Sequence, residues 1–213
     1  MPNFSLERKT AGLVVGIDEA GRGPWAGPVV AAAVLLGHDE GGRRRLRRRL
    51  AGLDDSKRLT PEARERFFDL LLAATGRGLV RYAIAAASVD EIDRFNILAA
   101  THMAMARAVA SLGLAPEIAL VDGDRAPPLP CPVECVVGGD GLSLSIAAAS
   151  VLAKVTRDRL MRRLAQHYPG FGWEHNMGYG TEEHREALWR LGPTCHHRRS
   201  FAPVGALQGE LSL

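Results

Sequence analysis

Two adjacent carboxylates, Asp18 and Glu19, close an apolar run from Leu13 to Ile17 that has the length and β-branched content of a buried strand. Ionised carboxylates beside a packed core repel each other, so they must be solvated, share a proton or be neutralised by a cation. A divalent metal ion would do the last. Directly after them stand Gly21, Arg22 and Gly23. Glycines on both sides of an arginine open backbone angles closed to other residues and let a ligand come close, while the guanidinium offers a planar donor fork suited to phosphate. Paired acids followed by an anion-binding turn point to a metal site that handles a polyanion. The plainer alternative is a solvated strand end and an ordinary tight turn. A dinucleotide fingerprint is not met, because Gly16, Gly21 and Gly23 miss its register and the acids would repel a pyrophosphate.

The same pattern returns further along. The short apolar run Ile118 to Val121 ends on Asp122-Gly123-Asp124, and Gly138-Gly139-Asp140 precedes a long helical stretch. Ser56 and Lys57, in the polar loop Asp54 to Thr60, are candidate phosphate donors. Tyr179, between Gly178 and Gly180, is a candidate to stack on a sugar or base. A capping turn and a tyrosine folded back on the core are the structural alternatives for these.

Strands are predicted over residues 13–17, 29–36, 80–87, 118–121 and 133–137. Val29 to Leu36 pairs antiparallel with the first strand after a short glycine-rich connection. An arginine run, Arg43 to Arg49, belongs to a helix with Leu46, Leu50 and Leu53 on its inner face. Thr60 and Pro61 start a helix that Gly76 stops. Ser88 and Glu91 form a capping box for a long helix running to Gly113. Ser143 to Tyr168 is a further helix with Ile146, Ala149, Ala153 and Leu160 inward, and Thr181 caps a last one ending near Gly192. A crossover after three antiparallel strands lets the fourth lie parallel beside the first. Asp18, Glu19 and Asp122 then converge. Which of Asp140, Asp124 and Asp158 joins them is left open by the residues alone. An all-oxygen set selects magnesium or manganese over zinc, and two ions about 4 Å apart suit phosphodiester cleavage.

With 213 residues and 46% hydrophobic content, the chain can bury one sizeable core. Its net charge of +3 makes it mildly basic, not a bulk neutraliser of nucleic acid. Cys131, Cys135 and Cys195 match no common zinc module, and their odd number suggests a reducing compartment. The longest apolar run, Val29 to Leu36, is too short to span a bilayer, so a cytoplasmic protein without membrane contact is expected.

In order along the chain, Gly16-Ile-Asp-Glu-Ala-Gly-Arg-Gly23, Asp55-Ser-Lys57, Asn96-Ile-Leu, Val121-Asp-Gly, Gly139-Asp140, Ser145 to Asp158, Asn176-Met-Gly-Tyr-Gly-Thr181 and His197-Arg-Arg-Ser-Phe201 resemble the type 2 ribonucleases H, from about Gly12 to Pro203. That resemblance implies an α/β ribonuclease H-like fold: a central mixed five-stranded sheet flanked by helices, with a catalytic domain over 1–168 and a small helical C-terminal extension over 169–213. It implies that Asp18, Glu19, Asp122 and Asp140 bind two magnesium or manganese ions and carry catalysis. Gly21, Arg22 and Gly23 would read the 2′-hydroxyl and backbone of a ribonucleotide, with Tyr179 on the following deoxyribose. The implied substrates are RNA/DNA hybrids and duplex DNA with embedded ribonucleotides, cut on the ribonucleotide's 5′ side to leave 3′-hydroxyl and 5′-phosphate ends. A monomer is expected. The tail residues Gln208, Leu211 and Leu213 resemble a short sliding-clamp-binding peptide. A hybrid-binding module without catalysis is the competing class, and four acids beside a phosphate argue against it.

Overall fold

The computed structural model describes residues 1–37 and 39–210, the last four by backbone alone. Five strands form one mixed sheet: β1 Val14–Ala20, β2 Val29–Leu36, β3 Val80–Ala87, β4 Ile118–Asp122 and β5 Val133–Val136, in the order β3-β2-β1-β4-β5. β1, β2 and β3 pair antiparallel, whereas β4 lies parallel to β1 and β5 parallel to β4. The described residues also form helices α1 Glu40–Arg49, α2 Pro61–Thr75, α3 Val89–Ser111, α4 Leu144–His167, α5 Trp173–Asn176, α6 Glu182–Leu191 and α7 Ala202–Glu210.

β2 is buried along its whole length because helices cover both faces of the sheet. Ala32, Val34 and Leu36 point to one face, where α1, α2 and α4 pack. Ala31, Ala33 and Leu35 point to the other, onto Ile92, Ala100, Ala104 and Ala108 of α3. Small side chains at the middle of the sheet let the helices come close. At Gly16 the approach is closest, since a Cβ there would collide with the backbone of Ser145 and Ile146 at the start of α4. The arginine run is helical, as its leucine spacing predicts. Leu46, Leu50 and Leu53 are at most 2% exposed, each worth about 1.5–3 kcal/mol of burial, while Arg44, Arg45, Arg47, Arg48 and Arg49 face solvent.

Several predicted details are corrected. α3 is not one continuous helix: Asn96 takes φ 67° and ψ 165°, a conformation foreign to helices, and its side-chain oxygen accepts the N–H groups of Leu98 and Ala99. The capping box at Ser88 and Glu91 thus starts a first short segment, and Asn96 caps the second. On α4 the inward stripe runs Ala149, Ala153, Arg157, Met161, with Leu160 only half-buried. α6 is not the last helix, since α7 follows. Within the glycine-rich stretch 171–181 that carries Tyr179, α5 forms and buries Trp173 completely.

The extension has an apolar cluster of its own, with Phe171, Trp173, Ala187, Leu188 and Val204 packed on Ala26, Met161 and Ala165. At the other end of the chain, buried Glu7 accepts hydrogen bonds from Ser143 Oγ (2.7 Å), Ser145 Oγ (2.8 Å) and Ser145 N–H (2.9 Å). It thereby fastens the N-terminal segment over the first turn of α4. No helix among the described residues is long and apolar enough to cross a membrane.

Candidate functional site

The sheet register brings the acids together. Ile17 stands opposite Val121 in the parallel pair β1–β4, so the next residues, Asp18 and Asp122, follow side by side on neighbouring strands. Asp122 Oδ1 accepts the Gly139 N–H (2.7 Å), which ties the end of β4 to the turn that carries Asp140. The turn passes close to the core there, since a Cβ on Gly139 would lie 2.6 Å from Ile146 Cδ1 and 3.1 Å from Val136 Cβ. Asp18 Oδ1 accepts the Glu19 N–H (2.7 Å), and Asp18 and Asp140 are buried.

Their titration reports the crowding. Burial pushes the Asp18 carboxyl well above the usual range, reinforced by Glu19, Asp122 and Asp140. Burial also raises Glu19, against the pull of Arg22, with Asp122 adding to the rise. Asp140 is pushed up to about 6, first by burial and then by Asp122 and Asp55. Lys57 is lowered by burial but raised by more through Asp55, Asp18, Asp140 and Asp122, so it stays charged in front of them. Asp124 and Asp158 are engaged otherwise. Asp124 lies at the surface 4.0 Å from Arg125, and Asp158 pairs with Lys154 at 2.8 Å. Among the described residues, no three His, Cys, Asp or Glu side chains stand in an arrangement ready to hold a metal ion.

Gly21, Arg22, Gly23, Ser56, Lys57 and Tyr179 line one cavity of about 340 Å³, and Asp18 and Glu19 form part of its wall. Arg22 is half-exposed, 3.4 Å from Glu19. Ser56 is buried and accepts a hydrogen bond from Ser150 Oγ at 2.7 Å, so it also braces α4. Tyr179 is 46% exposed, which excludes a ring folded into the core. Its Cε1 lies 3.6 Å from where a Cβ on Gly23 would stand, so the ring and the glycine turn share one wall.

The turn is held from beneath by two buried guanidiniums that bind carbonyls rather than carboxylates. Arg157 donates to Pro28 O (3.0 Å), Met177 O (2.9 Å) and Ala26 O (2.9 Å). Arg198 donates to Gly21 O (2.5 Å), Arg22 O (2.8 Å) and Gly27 O (2.9 Å). Burial lowers Arg157 to about 10 and Arg198 to about 9, which leaves both charged at neutral pH. Gly21 sits at φ 97°, and a Cβ on it would run into Arg157 Nε. The backbone of Trp25 and Ala26 bonds Gly178 O, and Arg198 N–H bonds Trp25 O. Sequence-distant segments thus form one wall.

Arg157 and Arg198 are not singled out by the sequence patterns. Arg157 could have been: it interrupts an alanine and methionine stripe four residues from each neighbour, where a solvated arginine does not belong. Arg198 carries no such signal in the run His196 to Arg199.

Residues 15–204 match the family model for ribonuclease HII. Ribonuclease HII of Paramagnetospirillum magneticum is 58% identical over 204 residues, spanning 96% of this chain and 97% of that one. Among solved structures, ribonuclease H2 from Pyrococcus horikoshii OT3 superposes with a TM-score of 0.70 at 28% identity, covering 94% of this chain and 99% of the other. Ribonuclease HII of Archaeoglobus fulgidus, solved as a PCNA:RNase HII complex, gives 0.66 at 29% identity over 87% and 93%. With its five-stranded mixed sheet and nearly its whole length matched, the chain belongs to the ribonuclease HII family and is a ribonuclease H, a hydrolase.

Proposed function

We propose that the protein is a divalent-metal-dependent endonuclease that cuts the RNA strand of RNA/DNA hybrids and the 5′ side of single ribonucleotides embedded in duplex DNA, leaving 3′-hydroxyl and 5′-phosphate ends. The observation that carries this reading is the meeting of Asp18, Glu19, Asp122 and Asp140 beside the Gly21-Arg22-Gly23 turn and Tyr179.

The donor set fits a hard cation. It is all oxygen, and it is crowded enough to raise the Asp18, Glu19 and Asp140 carboxyls even though Arg22 and Lys57 pull against that rise at Glu19 and Lys57 does so at Asp140. Asp18, Glu19, Asp122 and Asp140 would hold magnesium or manganese, with small turns of their side chains from the repelled arrangement. A bound pair of ions supplies charge neutralisation at the scissile phosphate and an activated water. Lys57 and Arg22 present cationic donors to the phosphates that flank the cut. The Arg157 and Arg198 guanidiniums fix the carbonyls of the turn, so its backbone meets the ribose in one geometry. Tyr179 stacks on the next sugar, where an added 2′-hydroxyl is disfavoured. The extension from residue 169 onward completes this wall and so belongs to the substrate site.

The test is incubation with a duplex bearing one ribonucleotide plus magnesium or manganese. A nick on the 5′ side is expected, and intact duplex would refute the proposal. Asp140→Asn should abolish cutting while retaining duplex binding; unimpaired turnover would move the fourth ligand elsewhere.

The PCNA complex of the Archaeoglobus fulgidus relative supports a sliding-clamp contact for this chain as well. Leu211 and Leu213 lie outside the described residues, as does the side chain of Gln208. Equal clamp affinity after deletion of residues 208–213 would remove the tail from this role.

A further inference from the structure

Behind Tyr179 lies a buried hydrogen-bonded chain of side chains that the chemistry above does not use. His184 and His197 are at most 1% exposed, packed against the stacked rings of Trp173 and Phe171. Trp173 Nε1 can only donate, and it meets His184 Nε2 at 3.1 Å. The Tyr179 carbonyl can only accept, and it meets His184 Nδ1 at 2.9 Å. His184 therefore carries its proton on Nδ1 and keeps Nε2 bare. That same Nε2 lies 3.0 Å from His197 Nε2, so His197 must carry its proton there and donate it. Its Nδ1 is then bare, and it accepts the Thr194 N–H at 2.9 Å.

These partners set one tautomer for each neutral ring, with the single lone pair of His184 Nε2 shared between Trp173 and His197, and with the Thr194 hydroxyl also 3.0 Å from His197 Nδ1. The chain runs Thr194, His197, His184 and ends on the backbone of Tyr179. Asn176 fixes the adjoining residues, its carbonyl accepting the Tyr179 N–H (2.9 Å) and its side-chain oxygen the Gly178 N–H (2.8 Å). A tyrosine between two glycines would otherwise be free to sweep a wide arc. Here its main chain is gripped at both the N–H and the carbonyl, and only the ring projects into the cavity.

We propose that His184, its tautomer set by His197 and Trp173, is a positioning residue for Tyr179 and thereby sets the preference for a ribonucleotide followed by deoxyribose over a continuous hybrid. This rests on the reading of Tyr179 given above and adds to it the group that aims the ring.

The experiment compares initial rates on a duplex with one ribonucleotide and on a continuous RNA/DNA hybrid. His184→Gln places an amide where Nε2 was and leaves nothing at Nδ1. It should lower the preference for the single ribonucleotide roughly tenfold, mostly through KM, since the loss is one of stacking geometry. His184→Asn returns a donor to the Nδ1 position and should recover most of that loss. Tyr179→Ala should show the same loss, and the His184→Gln/Tyr179→Ala pair should be no worse than Tyr179→Ala alone. An unchanged preference in His184→Gln, or losses that add in the double variant, would overturn the proposal while leaving the reading of Tyr179 intact. An unchanged preference in Tyr179→Ala would overturn both. Should neither His184 variant fold, amide exchange in Trp173→Phe decides: faster exchange at residues 178–180 is expected, and unaltered protection there counts against the proposal.

Discussion

Asp18 is the side chain most at odds with its surroundings. It is buried beside Glu19, Asp122 and Asp140, and its carboxyl is held well above the ordinary range by burial first and by those charges second. A carboxyl whose folded pKa is raised binds its proton more tightly folded than unfolded. Its contribution to stability is therefore present at low pH and lost as pH rises through the folded value. At neutral pH, without metal, the cluster is a source of repulsion. Asp18→Asn keeps the oxygen that accepts the Glu19 N–H and removes one charge. It should raise the thermal midpoint of metal-free protein near pH 7.5 by ~2–4 °C, for relief of about 1 kcal/mol, and abolish turnover. A calorimetric scan with and without manganese checks this. A midpoint that falls would show that the acids are not under strain.

At the level of the elements, the acids were legible because buried apolar runs that give way abruptly to carboxylates are rare enough to stand out, and those of β1 and β4 both do so, although β1 itself continues to Ala20. Their parallel pairing followed from the order of apolar runs and the handedness of crossovers. The break in α3 was not legible. Its periodicity continues across residue 96, and only the backbone reveals the left-handed φ that Asn96 adopts while capping Leu98 and Ala99. Asn96→Ala keeps the strained angle and loses the cap, so it should cost about 2 kcal/mol or more. Asn96→Gly loses the cap but relieves the angle, and should cost less. Denaturant midpoints of the two variants decide the order, and the reverse ranking would mean that the strain is not felt. The wiring of the extension was equally hidden. Arg198 acts through carbonyls on the far side of the sequence, at Gly21, Arg22 and Gly27, and no local pattern distinguishes it from its solvated neighbour Arg199.

For the molecule as a whole, stability is not governed by pH in one direction. Burial drops His197 to about 3 and lowers His184 and His196 as well, with the charges of their ring neighbours adding to it at His197. Unfolded, these rings titrate near 6.5. Between that value and about 3 the unfolded chain takes up protons that the folded one refuses, so the histidine contribution is full above 6.5 and is lost as pH falls. The C-terminal extension should loosen before the sheet on acidification. Amide exchange corrected for intrinsic pH should rise first across residues 173–197, and uniform protection down to pH 4.5 would disprove it.

The cradle formed by Arg157 and Arg198 also imposes a schedule on synthesis. Every one of the four acids leaves the ribosome before Arg198 does, yet the carbonyls of Gly21, Arg22 and Gly27 are fastened only when that late residue arrives. A nascent chain thus owns the four acids long before it owns the fastened turn beside them. Any truncation upstream of residue 198 leaves the first without the second.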